Sequence, residues 1–274
     1  MKVIVSHDID HISVTEHLLK DLIIPKHIVR SHLEWINGKI SFQELMYRFQ
    51  DLIKNKFNNV KELISFNKEK CVNGTFFIGV ENGIGLSYSL LQAQSIVQLI
   101  KTSNCSVQVH GINYETLDSI LYEKNKFEAT FQLPAQGIRM HYVRKDANTL
   151  NKFSNAGYLY DSTVFEFTNP YKVGEMWEFP FQIMDGWIIE NGKRRQSRSL
   201  NESIEATKKI IDKCVDLKLS HLVIDFHDHY FCKSFKTWID WYCWVIDYLK
   251  QNQFSFTDYY SEVKALNALS LQLS

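Results

Sequence analysis

Residues that can bind metal ions or transfer protons follow six separate apolar segments of this sequence. Each segment is short and rich in Val, Ile, Phe or Tyr, which predicts a strand. The polar residues at the segment ends are Asp8 and Asp10 with His7 and His11, then His110, Arg139 with His141, Asp161, Asp185, and His227 with Asp228 and His229. One such residue is unremarkable, because Asp and His commonly end strands. Their repetition predicts an active site at one end of a sheet or barrel.

The elements that must position these residues alternate along the chain. We predict strands over residues 3–6, 75–79, 106–110, 137–140, 158–161, 177–183 and 222–227, and a weaker strand over 254–257. Most are continuously apolar, which indicates strands covered on both faces. Helices are predicted over 86–101 and 147–155, and another begins at Ser199, which forms a capping box with Glu202. This alternation predicts an α/β fold with a mainly parallel sheet or barrel.

The segment from 13 to 70 interrupts that alternation. Its apolar residues, among them Leu33, Trp35, Leu45 and Phe49, recur at helical spacing. We predict two or three helices here, inserted after the first strand. The sequence shows no internal repeat and no convincing linker, so we expect residues 1–274 to form a single domain.

Composition and charge exclude some classes of partner. Lys and Arg together number 31, as do Asp and Glu, so no net field favours nucleic acid or anionic lipid. The five cysteines have irregular spacing and no CxxC pair, which is typical of reduced thiols in a cytosolic protein. The N-terminus lacks the apolar stretch of a signal peptide, and no segment has the length of a membrane span. We therefore expect a cytoplasmic protein.

Several motifs resemble those of the polysaccharide deacetylases, the NodB-homology or carbohydrate esterase family 4 proteins. Ser-His-Asp-Ile-Asp-His at 6–11 resembles their first motif, and Asn-Gly-Thr-Phe-Phe at 73–77 resembles their second strand. Val-His-Gly at 109–111 is similar to the metal-binding motif, and Gly-Ile-Arg-Met-His at 137–141 to the arginine motif. Later landmarks are Tyr-Asp-Ser at 160–162, Glu-Phe-Pro at 178–180 and Ile-Asp-Phe-His-Asp at 224–228. The resemblance implies a distorted (β/α) barrel of about seven strands.

The resemblance also implies roles for individual residues. Asp8 would be the general base, oriented by Arg139, and His227 the general acid, whose partner would be Asp161 or Asp185. Asp10 and His110 would bind one divalent metal ion, which is zinc by preference, with cobalt, nickel or iron as alternatives. Because alternate strand residues face opposite ways, we expect the strand end to turn so that Asp8 and Asp10 reach one ion.

The chain departs from the family pattern at Tyr114. The family carries a second histidine four residues after the first, and tyrosine is a poor zinc ligand. We expect His141 to replace it, with His11 as the second choice. Retention of extra waters and poor metal binding are the other outcomes.

The remaining residues have structural interpretations. For an isolated Asp-x-Asp pair, capping of the following helix would be favoured over chemistry, and Arg139 could form a structural ion pair. His17, His27, His32 and His221 are interpreted as structural or surface residues. The tryptophans at 238, 241 and 244 lie at helical spacing, which favours a core over a sugar platform.

Three functions follow from this sequence. The first is metal-dependent removal of an N-acetyl group from a sugar in O-antigen or capsule assembly, on a nucleotide-linked or lipid-linked saccharide. The second is hydrolysis of another non-peptide amide. The third, motivated by Tyr114, is a carbohydrate-binding protein without activity. The oligomeric state and the role of helices 13–70 stay open.

Overall fold

The computed structural model of the chain describes residues 1–17, 21–103 and 105–273, and it shows an α/β fold. The strands are β1 (Lys2–Ile9), β2 (Gly74–Ile78), β3 (Ser106–Gly111), β4 (Gly137–Met140), β5 (Tyr160–Asp161), β6 (Tyr171–Val173), β7 (Met176–Glu178), β8 (Ile183–Met184), β9 (His221–Asp225) and β10 (Ser255–Thr257). The helices are α1 (Ile23–Ile36), α2 (Phe42–Ile53), α3 (Val60–Glu69), α4 (Leu90–Lys101), α5 (Leu117–Phe131), α6 (Thr149–Asn155), α7 (Leu200–Asp216), α8 (Lys236–Gln251) and α9 (Tyr259–Leu273).

The strands form one curled sheet with the order β6-β7-β5-β4-β3-β2-β1-β9-β8, and β10 pairs with β1. All neighbours are parallel except β6 and β7, which confirms the predicted distorted barrel. A short turn cannot join two parallel neighbours. Helices therefore connect most of the strands, and they cover the outside of the sheet. Parallel pairing also brings the carboxyl ends of β1, β3, β4 and β9 to one end of the barrel.

The predicted strand over 177–183 is wrong as a single element. Pro180 lies in its middle and has no N–H to donate, so the segment divides there. Its first part, β7, pairs with β5, whereas its second part, β8, pairs with β9. The two parts therefore lie near opposite edges of the sheet. An isolated parallel bridge joins Phe165, after β5, to Phe181, before β8.

Alternation along β1 separates two hydrophobic cores. Val3, Val5 and Ile9 pack outward against the helices. Ile4 packs inward in a smaller core with Phe77, Val223 and Tyr259. Burial of these side chains stabilises the fold by about 1.5–3 kcal/mol each.

The predicted insertion is present. A short turn of helix at Thr15–His17 precedes α1, α2 and α3, which together occupy the chain between β1 and β2. The insertion is tied to the carboxyl end of β9, because the backbone N–H of Asn59 donates to Asp228 at 3.0 Å. The predicted capping box of α7 is also confirmed, with Ser199 and Glu202 bonding reciprocally. Helix α4 begins at Leu90, later than predicted, because Ser89 caps it.

Candidate active site

The inner face of the barrel becomes polar toward the carboxyl ends of its strands. On β1, Ile4 is followed on the same face by Ser6 and Asp8, because residues two apart along a strand point the same way, and Asp10 comes directly after the strand. The expected turn at the strand end is therefore wrong, since β1 stays extended through Ile9. Strand geometry alone directs both carboxylates to the inside.

Asp10, His110 and His141 form one compact cluster. Asp10 Oδ1 lies 3.2 Å from His110 Nε2 and 3.2 Å from His141 Nδ1, and the two ring nitrogens are 3.1 Å apart. His110 is the second-last residue of β3, and His141 follows β4, the neighbouring strand. Both imidazoles are buried, with 1% and 3% of their surfaces exposed. The structure thus brings together the three residues predicted to bind metal.

The outward nitrogens of both imidazoles are already engaged. His110 Nδ1 lies 3.1 Å from the carbonyl oxygen of Arg139, and His141 Nε2 lies 3.0 Å from that of Ile84. A carbonyl oxygen only accepts, so these nitrogens carry protons, and each ring in its neutral form turns a lone pair toward the cluster. Two lone pairs and a carboxylate oxygen within 3.2 Å repel one another unless a cation or a proton lies among them. The donor set therefore fits a divalent metal ion with nitrogen and oxygen ligands.

The electrostatics of the cluster agree with this fit. Burial alone would raise the pKa of Asp10, but His141 and His110 outweigh it and hold that pKa well below its usual range. Burial alone would lower the pKa of His141, but Asp10 outweighs it and raises that pKa. The cluster therefore favours a negative carboxylate with positive charge beside it.

Tyr114 lies outside this cluster. Its ring packs against the larger hydrophobic core, which contains Val3, Val5 and Ile9. The guanidinium carbon of Arg144 lies over the ring, 5.3 Å from its centre. His141, the residue predicted to replace the second histidine, lies in the cluster. It is held in a tight turn, because Tyr142 and Val143 both adopt left-handed backbone angles, with φ of 57° and 47°. Such angles are rare for a β-branched residue, and backbone strain of this kind concentrates at functional sites.

Asp8 lies deeper inside the barrel than Asp10 and is paired with Arg139. Arg139 Nη1 donates to Asp8 Oδ1 at 3.2 Å, and the same nitrogen donates to Asp225 and to the hydroxyl of Ser6. Arg139 is fully buried and Asp8 is 3% exposed. The other Asp8 oxygen, Oδ2, lies 3.9 Å from His110 Nε2, so the carboxylate faces the cluster of Asp10, His110 and His141. An arginine in this position both neutralises and orients the carboxylate.

Asp225 is a site residue that sequence reasoning missed. It belongs to the 224–228 motif and lies two residues before His227, so both face inward from the end of β9. Burial, and then the neighbouring charge of Asp8, raises the pKa of Asp225. The two-residue spacing from His227 was the available signal.

His227 faces the other carboxylate oxygen of Asp10, Oδ2, whereas His141 faces Oδ1. Its Nδ1 contacts Asp185 Oδ1 at 2.9 Å, and its backbone N–H donates to Asp185 Oδ2 at 2.8 Å. Its Nε2 faces Asp10 Oδ2 at 3.6 Å. Burial alone would lower the pKa of His227, but Asp185, and then Asp10, outweigh it and raise that pKa well above the usual value. This geometry suits an imidazole that holds a proton toward the site.

Asp161, one of the two predicted partners of His227, does not contact that histidine, which pairs with Asp185. Asp161 Oδ1 accepts a hydrogen bond from Thr163 at 2.6 Å, and its carboxyl group lies against that of Glu178 on β7. Both carboxyl groups are fully buried, and burial raises both pKa values. Two buried carboxyls in contact stabilise each other by sharing a proton. Asp161 thus fastens β5 to β7, and Asp185 is the partner of His227.

The other histidines near β1 have structural contacts. His7 faces the outer side, where it contacts the carbonyl of Phe226 at 3.0 Å and the amide of Asn67 at 2.8 Å. Burial lowers the pKa of His7 to about 4, so it is neutral. His17 lies between Glu16 and Asp21, at 2.9 and 3.0 Å. His11, the second choice as a ligand, lies edge-on against His17 and outside the Asp10 cluster.

Solved structures share this fold. A candidate polysaccharide deacetylase from Mycobacterium smegmatis is 14% identical, with a TM-score of 0.66 over 98% of this chain and 91% of its own. PuuE allantoinase is 11% identical, with a TM-score of 0.64 over 97% and 89%. A carbohydrate esterase family 4 pseudoenzyme from Bacillus anthracis is 8% identical, with a TM-score of 0.51 over 96% and 65%. No family model and no curated protein sequence matches the chain.

These likenesses establish the NodB-like fold that the motifs predicted. At such low identity they do not carry an activity with them. Within the described residues, no helix combines the length and apolarity needed to cross a membrane.

Proposed function

We propose that the chain is a metal-dependent hydrolase that removes the N-acetyl group from a saccharide. The observation that carries the proposal is the convergence of three elements at one end of the barrel. The first is the Asp10–His110–His141 cluster. The second is the buried carboxylate of Asp8 paired with Arg139, and the third is the imidazole of His227 paired with Asp185. Amide hydrolysis needs a nucleophile, a base and an acid, and this arrangement supplies a position for each.

Asp10, His110 and His141 would hold the metal ion. When bound, such an ion lowers the pKa of a coordinated water and polarises the acyl oxygen. Zinc suits this donor set, and cobalt, nickel and iron are the alternatives. The ring nitrogens that face the cluster are fixed by the carbonyls of Arg139 and Ile84, so the ligands are held before any ion arrives.

Asp8 would act as the general base and His227 as the general acid. Asp8 accepts a proton from the attacking water while Arg139 holds its carboxylate toward the cluster. The water oxygen bonds to the acyl carbon, and the carbon–nitrogen bond then breaks. His227, with Nε2 facing the site and Nδ1 held by Asp185, gives its proton to the leaving nitrogen. The products are acetate and an amino sugar.

The substrate class rests on the resemblance of the motifs. We propose an N-acetylated sugar of surface-polysaccharide assembly, carried on a nucleotide or a lipid. The second candidate, another non-peptide amide, is favoured by the likeness to PuuE allantoinase. A panel of N-acetylated nucleotide sugars, N-acetylated oligosaccharides and cyclic ureides separates the two by the product released.

The decisive experiment measures acetate release by metal-loaded protein. We expect Asp8→Asn to abolish release while the circular dichroism spectrum stays unchanged. The matched control is Asp118→Asn, an exposed carboxylate at the start of α5, which should keep full activity. Full activity in Asp8→Asn would contradict the proposed role of Asp8 as the general base. Protein that binds neither zinc, cobalt nor nickel would favour the third function, a carbohydrate-binding protein without activity.

A further inference from the structure

A second group of metal-ligating side chains lies where the helical insertion begins. His11 comes two residues after β1, and Glu16 and His17 lie in the short turn of helix at Thr15–His17. One nitrogen of each imidazole and one oxygen of the carboxylate lie within 4.8 Å of one another. We call His11, Glu16 and His17 the second cluster. It shares no residue with the cluster around Asp10.

Most of the second cluster is buried. The side chains of Glu16 and His17 are 1% and 0% exposed, and that of His11 is 18% exposed. Phe57, which lies between α2 and α3, packs against both imidazoles, with its ring centre 5.9 Å from each. An apolar surround of this kind lowers the local dielectric constant and strengthens the attraction between a carboxylate and a cation.

His17 directs one nitrogen at Glu16. Its other nitrogen, Nδ1, lies 3.0 Å from Asp21 Oδ2. Because a carboxylate oxygen only accepts, Nδ1 carries a proton, and Nε2 of the neutral ring carries a lone pair. Nε2 lies 2.9 Å from Glu16 Oε1 and has no hydrogen-bond partner among the residues that the structure describes. Two acceptors at this distance repel each other unless a proton or a metal ion lies between them.

His11 distinguishes a metal ion from a proton. Its Nδ1 is buried and lies 4.0 Å from Glu16 Oε1, and no described residue forms a hydrogen bond with it. A second proton on His17 would satisfy Glu16 but would leave the His11 nitrogen without a partner. A metal ion would accept lone pairs from both imidazoles and from the carboxylate. Buried nitrogens without a partner are rare in folded proteins, which favours the ion.

The groups around the second cluster hold its ligands in place. The carboxylate of Glu16 accepts hydrogen bonds from the backbone N–H groups of Ile12 and Ser13, at 3.1 and 3.0 Å. Asp21, in turn, accepts a hydrogen bond from the hydroxyl of Ser87 at 2.8 Å. An imidazole that donates its other N–H to a carboxylate is typical of metal sites, because that bond fixes the tautomer and the ring orientation. The ligands are therefore oriented before any ion arrives.

We propose that His11, Glu16 and His17 bind a second divalent metal ion, separate from the ion of the proposed reaction. Two imidazoles and a carboxylate suit zinc, and a water molecule completes four-coordination. Cobalt and nickel accept the same ligands. The ion has a structural role, because it fastens the start of the insertion to the end of the strand that carries Asp8. Its binding does not depend on the proposed function and is measured without substrate.

Zinc stoichiometry tests the proposal. The full chain is stripped with a chelator, incubated with zinc and desalted, and bound zinc is measured by atomic absorption. We expect two ions per chain, one ion in His17→Gln, one ion in His141→Ala and none in the double variant. Asp21→Asn should weaken the second site by about 10–100-fold, because the imidazole loses its orienting carboxylate.

His32→Gln is the matched control, because it removes an exposed histidine of α1 that belongs to neither cluster. This control should bind two ions, and circular dichroism should show that every variant is folded. His11→Gln, at the most exposed ligand of the second cluster, provides the same test if His17→Gln does not fold. Because His17→Gln removes only the second site, it also isolates zinc binding by the cluster around Asp10.

Failure of the second site can be told apart from failure of the proposed function. Zinc that is retained in His141→Ala and lost in His17→Gln supports the second site, whether or not the cluster around Asp10 binds an ion. A single ion that is lost in His141→Ala and retained in His17→Gln overturns the second site and leaves the proposed function standing. Two ions in both His17→Gln and His11→Gln also overturn it, because the second ion then lies elsewhere. Absence of zinc from the unmodified chain overturns both proposals.

Discussion

The Nε2 atom of His110 lies 3.1 Å from the Nδ1 atom of His141, and each imidazole directs its other nitrogen to a backbone carbonyl. The two rings come from neighbouring strands and use different nitrogens toward the same point. In the proposed function, this relationship would let the chain hold a metal ion although tyrosine stands at position 114, where the motifs of similar proteins carry a second histidine. A ligand from the segment after β4 would then replace one from the turn after β3.

Removal of His141 tests that replacement. We expect His141→Ala to weaken binding of zinc by more than about tenfold, because one of three protein donors is lost. Isothermal titration calorimetry of protein stripped with a chelator measures the effect. Tyr114→Phe is the control and should bind zinc normally. An unchanged affinity in His141→Ala would show that the ion binds elsewhere.

Separate substitutions of Asp185 and Asp161, the two predicted partners of His227, distinguish their roles. We expect Asp185→Asn to lower kcat by about 10²–10⁴-fold with little change in KM, because the imidazole loses its orienting carboxylate. Asp161→Asn should instead lower the unfolding temperature and leave kcat near its original value, since that carboxyl group binds Glu178. The reverse pattern would restore Asp161 as the partner. Steady-state kinetics and thermal unfolding of both variants provide the comparison.

Arg139 balances two buried carboxylates, so its removal should destabilise the fold. We expect Arg139→Met to lower the free energy of unfolding by about 3–5 kcal/mol, because Asp8 and Asp225 would stay buried without a positive partner. Urea denaturation measures the change. Arg195→Met, at an exposed position, should change stability by less than about 0.5 kcal/mol. A loss in Arg139→Met as small as that of the control would contradict the account.

Glu123 should make stability depend on pH near neutrality. Burial raises the pKa of Glu123 to about 7, although it accepts hydrogen bonds from the backbone N–H groups of Ile112 and Asn113. Because this folded-state pKa is above the unfolded value of 4.5, the folded chain binds the proton more tightly. Stability from this group is therefore present below pH 4.5 and is lost as the pH rises toward 7.

We expect Glu123→Gln to reduce that loss, which amounts to about 3 kcal/mol for a shift of this size. Urea denaturation at a series of pH values between the two pKa values measures the slope for both proteins. Glu128→Gln, a carboxylate on the same helix, is the control. Equal slopes in the original chain and in Glu123→Gln would mean that Glu123 is not the titrating group.

Much of the fold was available from the sequence. Apolar runs of strand length and helical spacing between them predicted the parallel α/β arrangement and the insertion, because burial on both faces of a parallel strand leaves a clear local pattern. The strand at 137–140 was placed without error. The division of 177–183 was missed, because a run of apolar residues does not show which neighbour each half will pair with.

The sequence by itself determined which residue types follow each strand, and hence that Asp8, Asp10, His110, Arg139 and His227 would meet at one end of the barrel. Only the tertiary structure decided the partners. It paired His227 with Asp185 in place of Asp161, added Asp225, and set His141 beside Asp10. The physical reason is distance along the chain. Alternation fixes the face on which a side chain lies, but contacts between residues tens of positions apart depend on strand order and on how the barrel curls.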